Sequence, residues 1–109
     1  MQARRLSHDK TELDPILHQP IRTKIVAHLA YQGKSAFVSL RSSLSLSDGH
    51  MSTHMRLLIA EGYVAAKKEL VDDKAQTVYA LTAQGKKAFT KYLDDLENLI
   101  QGLPTEWKH

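Results

Sequence analysis

The feature that most constrains this chain is the stretch at residues 47–61, where a serine cap, a helical apolar period and a glycine stop follow in order. Ser47 and Asp48 supply an N-cap and an acidic first turn. Met51, Met55 and Leu58 then recur at i, i+4 and i+7, the spacing of one helix face. Gly62 ends the segment. Just upstream, Ser35 reads as the cap of a short helix with Phe37, Leu40, Leu44 and the stem of Arg41 turned inward. Leu44, Ser45 and Leu46 break that period. Two short helices joined by so short a turn must cross steeply and share a core. Residues 35–61 therefore read as a helix-turn-helix.

The segments on either side extend the pattern. Asp14 and Pro15 read as an N-cap and first helical residue, and Pro20 opens a second helix in the same way. Ile21, Ile25, Val26 and Leu29 give that second helix its apolar stripe, and Gly33 a stop. After Gly62 the period becomes extended. Residues 63–70 and 77–81 read as strands around a polar turn at 71–76, which makes a two-stranded hairpin, or wing, over 63–81. Thr82 caps a last helix over 82–103, whose apolar face holds Phe89, Tyr92, Leu93, Leu96, Leu99, Ile100 and Leu103. The expected fold class is α+β and mainly helical. It is a winged helix-turn-helix with a two-stranded β wing and a C-terminal dimerisation helix.

Composition narrows the function classes. With 109 residues the chain has material for one modest core, so a single domain is expected, with residues 1–12 as a flexible arm carrying Arg4 and Arg5. There are no cysteines, which excludes disulfides and thiolate metal sites and fits a reducing cytoplasm. No apolar run follows Arg4 and Arg5 as in a secretory signal, and none approaches the roughly 20 residues of a membrane span. The net charge is +3, and the tail after Lys91 is acidic while the body is basic. Such a body suits a polyanion.

Three stretches carry a family resemblance: LDPILHQPIRTKIVAHL, LSLSDGHMSTHMRLLIAEGYVAAKK and TVYALTAQGKKAF. They resemble the compact winged-helix regulators of the MarR/ArsR-like group of bacteria and archaea, over about residues 13–96. The resemblance implies a dimeric transcriptional regulator, with the recognition helix at 47–61 in the major groove of double-stranded DNA and the hairpin beside the backbone or minor groove. Two departures stand out. Wings of this group carry arginines near the tip, whereas this tip is Asp72 and Asp73 with Lys74 and Gln76 beside them. The thiol metal motif of ArsR-type sensors is absent with the cysteines.

Rotation by about 100° per residue places Gly49, Thr53 and Arg56 opposite the Met51, Met55 and Leu58 seam, with His50 and Ser52 flanking them. These are the expected partner-facing residues. Gly49 leaves room for close approach. His50, Ser52 and Thr53 exchange hydrogen bonds with base edges, and Arg56 offers a bidentate fork to guanine or phosphate. Ser47 is expected to donate to a phosphate as well as cap. Lys67, Lys68 and Lys74 of the wing are expected phosphate contacts, and Arg41 is a weaker one.

His50 and His54 have the spacing of a two-histidine metal site, but no third ligand sits at a telling distance, so no metal is expected. No nucleophile elbow, phosphate loop or paired carboxylate site is present, so neither an enzyme nor a cofactor is expected. The last helix, with Leu13, Ile16 and Leu17, is expected to form a two-fold homodimer seam. Nothing identifies a small-molecule effector. The alternative reading is a winged-helix protein-interaction module without specific DNA binding, which the acidic wing tip favours.

Overall fold

The computed structural model describes residues 12–104 and 106. The arm read at 1–12 therefore lies outside the described residues, apart from Glu12. In chain order the elements are α1 (Pro20–Gln32), β1 (Ser35–Ala36), α2 (Phe37–Ser43), α3 (Asp48–Ala60), β2 (Val64–Val71), β3 (Lys74–Leu81) and α4 (Ala83–Gln101). Among the described residues, four helices and a small antiparallel sheet make a mainly helical α+β winged-helix fold.

α1 starts at Pro20, whose absent N–H is no loss in a first turn, and the Gln19 side chain accepts from the Arg22 N–H at 2.8 Å. Ile25, Val26 and Leu29 of α1 pack with Leu40 of α2 and with Met51, Met55 and Leu58 of α3. Tyr63 from the bend after α3, Val64 and Tyr79 from the sheet and Tyr92 from α4 add to this core.

Three local expectations are corrected. Ser35 does not cap a helix. It lies with Ala36 in β1, which pairs antiparallel with β3 through Ser35–Tyr79 and Ala36–Val78. The sheet therefore has three strands in the order β1-β3-β2, and α2 begins one residue after the strand with Ala36 as its cap. A two-residue strand has no period of its own to read. Asp14 and Pro15 open only a turn. The Asp14 side chain accepts from the Ile16 N–H at 2.9 Å, but Pro20 lacks the N–H that would carry a helix through. The polar turn read at 71–76 is also shorter, because Val71 pairs with Lys74 and only Asp72 and Asp73 form the loop. Both have positive φ, 53° and 65°, the backbone of a tight hairpin turn whose twist matches the strands.

Leu17, expected at a dimer seam, is fully buried, and Leu13 and Ile16 pack against the same core. The N-terminal turn therefore contributes to the core, while α4 keeps Leu93, Leu99 and Ile100 exposed.

The joint between α3, β2 and α4 is tight. The N–H of Gly62 reaches the Ile59 carbonyl at 2.9 Å, and the N–H of Tyr63 reaches that of Leu58 at 3.0 Å. That paired closure puts Gly62 at φ 86°, a conformation costly for any residue with a Cβ. Thr82 Oγ1 donates to the Gly62 carbonyl at 2.6 Å while accepting from the Gly85 N–H at 2.9 Å. Gly85 rests so close to this joint that a Cβ would meet the Tyr63 carbonyl oxygen at 2.1 Å.

Candidate nucleic-acid interface

The recognition segment is anchored at both ends by local chemistry. Ser47 Oγ accepts from the His50 N–H at 3.1 Å at its start, and Gly62 closes its end. The preceding helix ends in the same kind of motif: the Ser45 N–H reaches the Ser42 carbonyl at 3.1 Å, and the Leu46 N–H that of Arg41 at 3.0 Å. Here Ser45 takes the left-handed position at φ 55° without being glycine. This closure sets the sharp entry into α3.

Met51, Met55 and Leu58 are buried, so the opposite face of α3 is turned out. Ser47, Gly49, His50, Ser52, Thr53 and Arg56 are all exposed, and no ion pair holds Arg56 among the described residues. They form one contiguous surface with donors, acceptors and a guanidinium fork.

The wing lysines do not form such a group. Lys67, Lys68 and Lys74 are exposed, but adjacent residues of a strand point to opposite faces. Register puts Lys67 opposite Val78 and Lys68 opposite Thr77. Lys67 and Lys74 therefore share one sheet face and Lys68 lies on the other. Glu69 pairs with Lys34 at 3.1 Å, which compensates its charge.

Two tertiary contacts bear on α3 and have no signal in the sequence. Arg41 Nε lies 3.0 Å from Asp48 Oδ1, joining the last turn of α2 to the first of α3. Arg22 of α1 lies across the middle of α3, with Nη1 at 3.0 Å from His54 Nδ1. Arginine only donates, so His54 accepts there as the neutral ring protonated on Nε2. Burial first, then the charges of Arg22 and His50, hold the His54 ring below its ordinary pKa. His54 is thereby engaged with a cation, and no group of three metal-ligating side chains occurs among the described residues.

A second cluster ties the N-terminal turn to the rest. Tyr63 Oη donates to Asp14 Oδ2 at 2.5 Å, and burial, then that bond, raises its phenol above the ordinary range. His18 Nδ1 and Tyr92 Oη are hydrogen-bonded at 2.8 Å. On α4, Leu93 and Ile100 remain 47% and 54% exposed, so the helix leaves an apolar strip uncovered. No helix among the described residues is long and apolar enough to cross a membrane.

A family model described as a winged helix DNA-binding domain matches residues 21–100. An uncharacterized protein of Methanocaldococcus jannaschii, MJ0432, is 28% identical over 88 residues, covering 81% of this chain and 96% of its own length. The structure of a transcriptional regulator homologue from Pyrococcus horikoshii matches with a TM-score of 0.80 at 27% identity, over 89% of this chain and 96% of that one. A MarR-like transcriptional regulator from Thermotoga maritima shares the fold, with a TM-score of 0.58 at 20% identity over 81% of this chain and 64% of that one. A capped helix turned outward beside a two-strand wing, on a family match spanning α1 to α4, carries one conclusion: the chain belongs to the winged helix DNA-binding domain family.

Proposed function

We propose that the chain is a dimeric, sequence-specific transcriptional regulator that lays α3 in the major groove of double-stranded DNA. The observation that carries this reading is the division of α3 itself. One seam is fully buried, while Gly49, Ser52, Thr53 and Arg56 stand free on the other side, flanked by Ser47 and His50. In a helix-turn-helix the N-terminal part of the second helix meets base edges. Arg56 takes guanine or phosphate, while His50, Ser52 and Thr53 read neighbouring edges. Lys67, Lys68 and Lys74 add phosphate contacts from the wing.

The dimer in this reading is formed by α4. Phe89, Leu93, Leu96 and Ile100 are spaced four, three and four apart, the stripe that lets two helices pack along a seam. A two-fold pair then presents two copies of α3 to two half-sites. The mode of action is repression in the cytoplasm, since occupying an operator needs only this interface and no catalytic step.

A gel shift with random duplex fragments across a salt series tests the reading. Binding that weakens with salt is expected. Arg56→Ala should lose about 1–3 kcal/mol of discrimination between sequences, whereas Lys68→Ala should weaken all duplexes alike. Absence of any retained duplex at low salt would remove the DNA reading. It would favour the second one, a protein-interaction module, which rests on the wing's Leu70 being 76% exposed beside Asp72 and Asp73.

A further inference from the structure

Asp48 poses a problem for the DNA reading: it is a carboxylate, 79% exposed, in the first turn of the helix that would approach a polyanion. Its geometry offers an answer. Its closest approach to Arg41 is Oδ1 to Nε, at 3.0 Å. The Arg41 side chain makes no hydrogen bond among the described residues, and Asp48 is its one ion-pair partner there, so its Nη groups keep donors to offer. The Arg41 side chain is 34% exposed, its stem against the protein and its head at the start of α3. A guanidinium approached on its Nε side by one anion keeps Nη donors for a second.

We propose that Arg41 is a phosphate-contacting residue of the interface and that Asp48 is the positioning residue that orients it. This rests on the DNA reading above and deepens it. Arg41 supplies affinity without reading sequence, because it addresses the backbone beside α3. Asp48 has its charge compensated by the pair and holds a long, rotamer-rich side chain in the binding pose before DNA arrives. An exposed ion pair of this kind adds little to folding stability, so its effect is expected at the interface.

The two roles open to Asp48 predict opposite signs, which makes the test decisive. A carboxylate that merely repels DNA binds more tightly when neutralised. A carboxylate that positions Arg41 binds less tightly. Affinity for a labelled random-sequence duplex is measured between about 50 and 200 mM salt for wild type, Arg41→Ala, Asp48→Asn and the double variant. Thermal melts are recorded for all four, and Asp48→Glu serves as the conservative variant that restores a carboxylate if Asp48→Asn melts early.

Arg41→Ala is expected to weaken every duplex alike and to reduce the salt slope by about one. Asp48→Asn should weaken binding about two- to fivefold at the upper end of the salt range, where repulsion is most screened. That loss should disappear in the Arg41→Ala background, and Asp48→Glu should recover part of it in the wild-type background. Tighter binding by Asp48→Asn, an unchanged slope in Arg41→Ala, or equal effects of Asp48→Asn in both backgrounds would overturn the proposal while leaving the DNA reading intact. Failure of wild type to bind any duplex overturns both.

Discussion

Arg22 ties the N-terminal turn to the recognition helix: its Nε donates to the Ile16 carbonyl at 2.6 Å while its Nη1 donates to His54 Nδ1 at 3.0 Å. The N-terminal turn, α1 and the sequence-distant α3 therefore meet at one guanidinium. The bond to His54 exists only while that ring is neutral, because a protonated ring has no lone pair to offer and repels the arginine. Burial first, and then the charges of Arg22 and His50, lower the histidine's pKa.

The sign of the pH dependence follows. In the folded protein His54 binds its proton less readily than in the unfolded chain, whose value is near 6.5. The stabilisation is complete above that value and is lost as pH falls through the lowered folded value. Melting temperatures followed downward from pH 7 should fall more steeply for wild type than for His54→Asn, whose side-chain oxygen keeps an acceptor near the δ position without titrating. Parallel profiles for the two proteins would exclude this role for His54.

The turn between α2 and α3 has room for improvement. Ser45 holds φ 55°, a region that costs an L-residue about 1–2 kcal/mol relative to its usual conformations. Ser45→Gly removes that cost but frees the unfolded chain, which returns roughly half of the gain. The net expectation is about 0.5–1 kcal/mol of added stability by denaturant unfolding, whereas Ser45→Val should be destabilising. Arg56 and Ser52 remain exposed either way, so duplex binding by Ser45→Gly should match wild type.

The wing tip is constrained twice. Asp72 and Asp73 both occupy positive φ, where asparagine or aspartate followed by glycine is the favoured pair, and both place a carboxylate at the tip. Asp73→Gly should stabilise the hairpin by about 0.5–1 kcal/mol. It should also raise affinity for all duplexes at low salt, with the gain disappearing as salt is increased. An affinity unchanged at every salt concentration would mean that the tip stays away from the phosphates.

The strip on α4 yields a prediction about assembly. Leu93 and Ile100 expose 47% and 54% of their surface, and each contributes about 1.5–3 kcal/mol when fully covered. Ile100→Glu should shift the proposed dimer to monomer in sedimentation at micromolar concentration. The monomer should stay folded in a melt, because Ile100 is 54% exposed and lies outside the buried core. A dimer that survives both Leu93→Glu and Ile100→Glu is formed by some other surface.

The helix-turn-helix and the wing were legible in the residues because their signals are local. Ser47, the Met51, Met55 and Leu58 period and Gly62 bounded α3 within a residue of where it lies, and Thr82 capped α4 as read. Caps act on neighbouring N–H groups and burial follows a fixed period, so neither needs a distant partner. The exposure of Gly49, Thr53 and Arg56 follows from that same period. Tertiary structure alone decided the rest. Ser35 joins the sheet because Tyr79 offers its edge, Leu17 lies in the core rather than at a seam, and Arg22 and Arg41 find His54 and Asp48. A two-residue strand, a single buried leucine and two long cations have no repeat to betray them. Their energies come from partners that only the folded chain brings within reach.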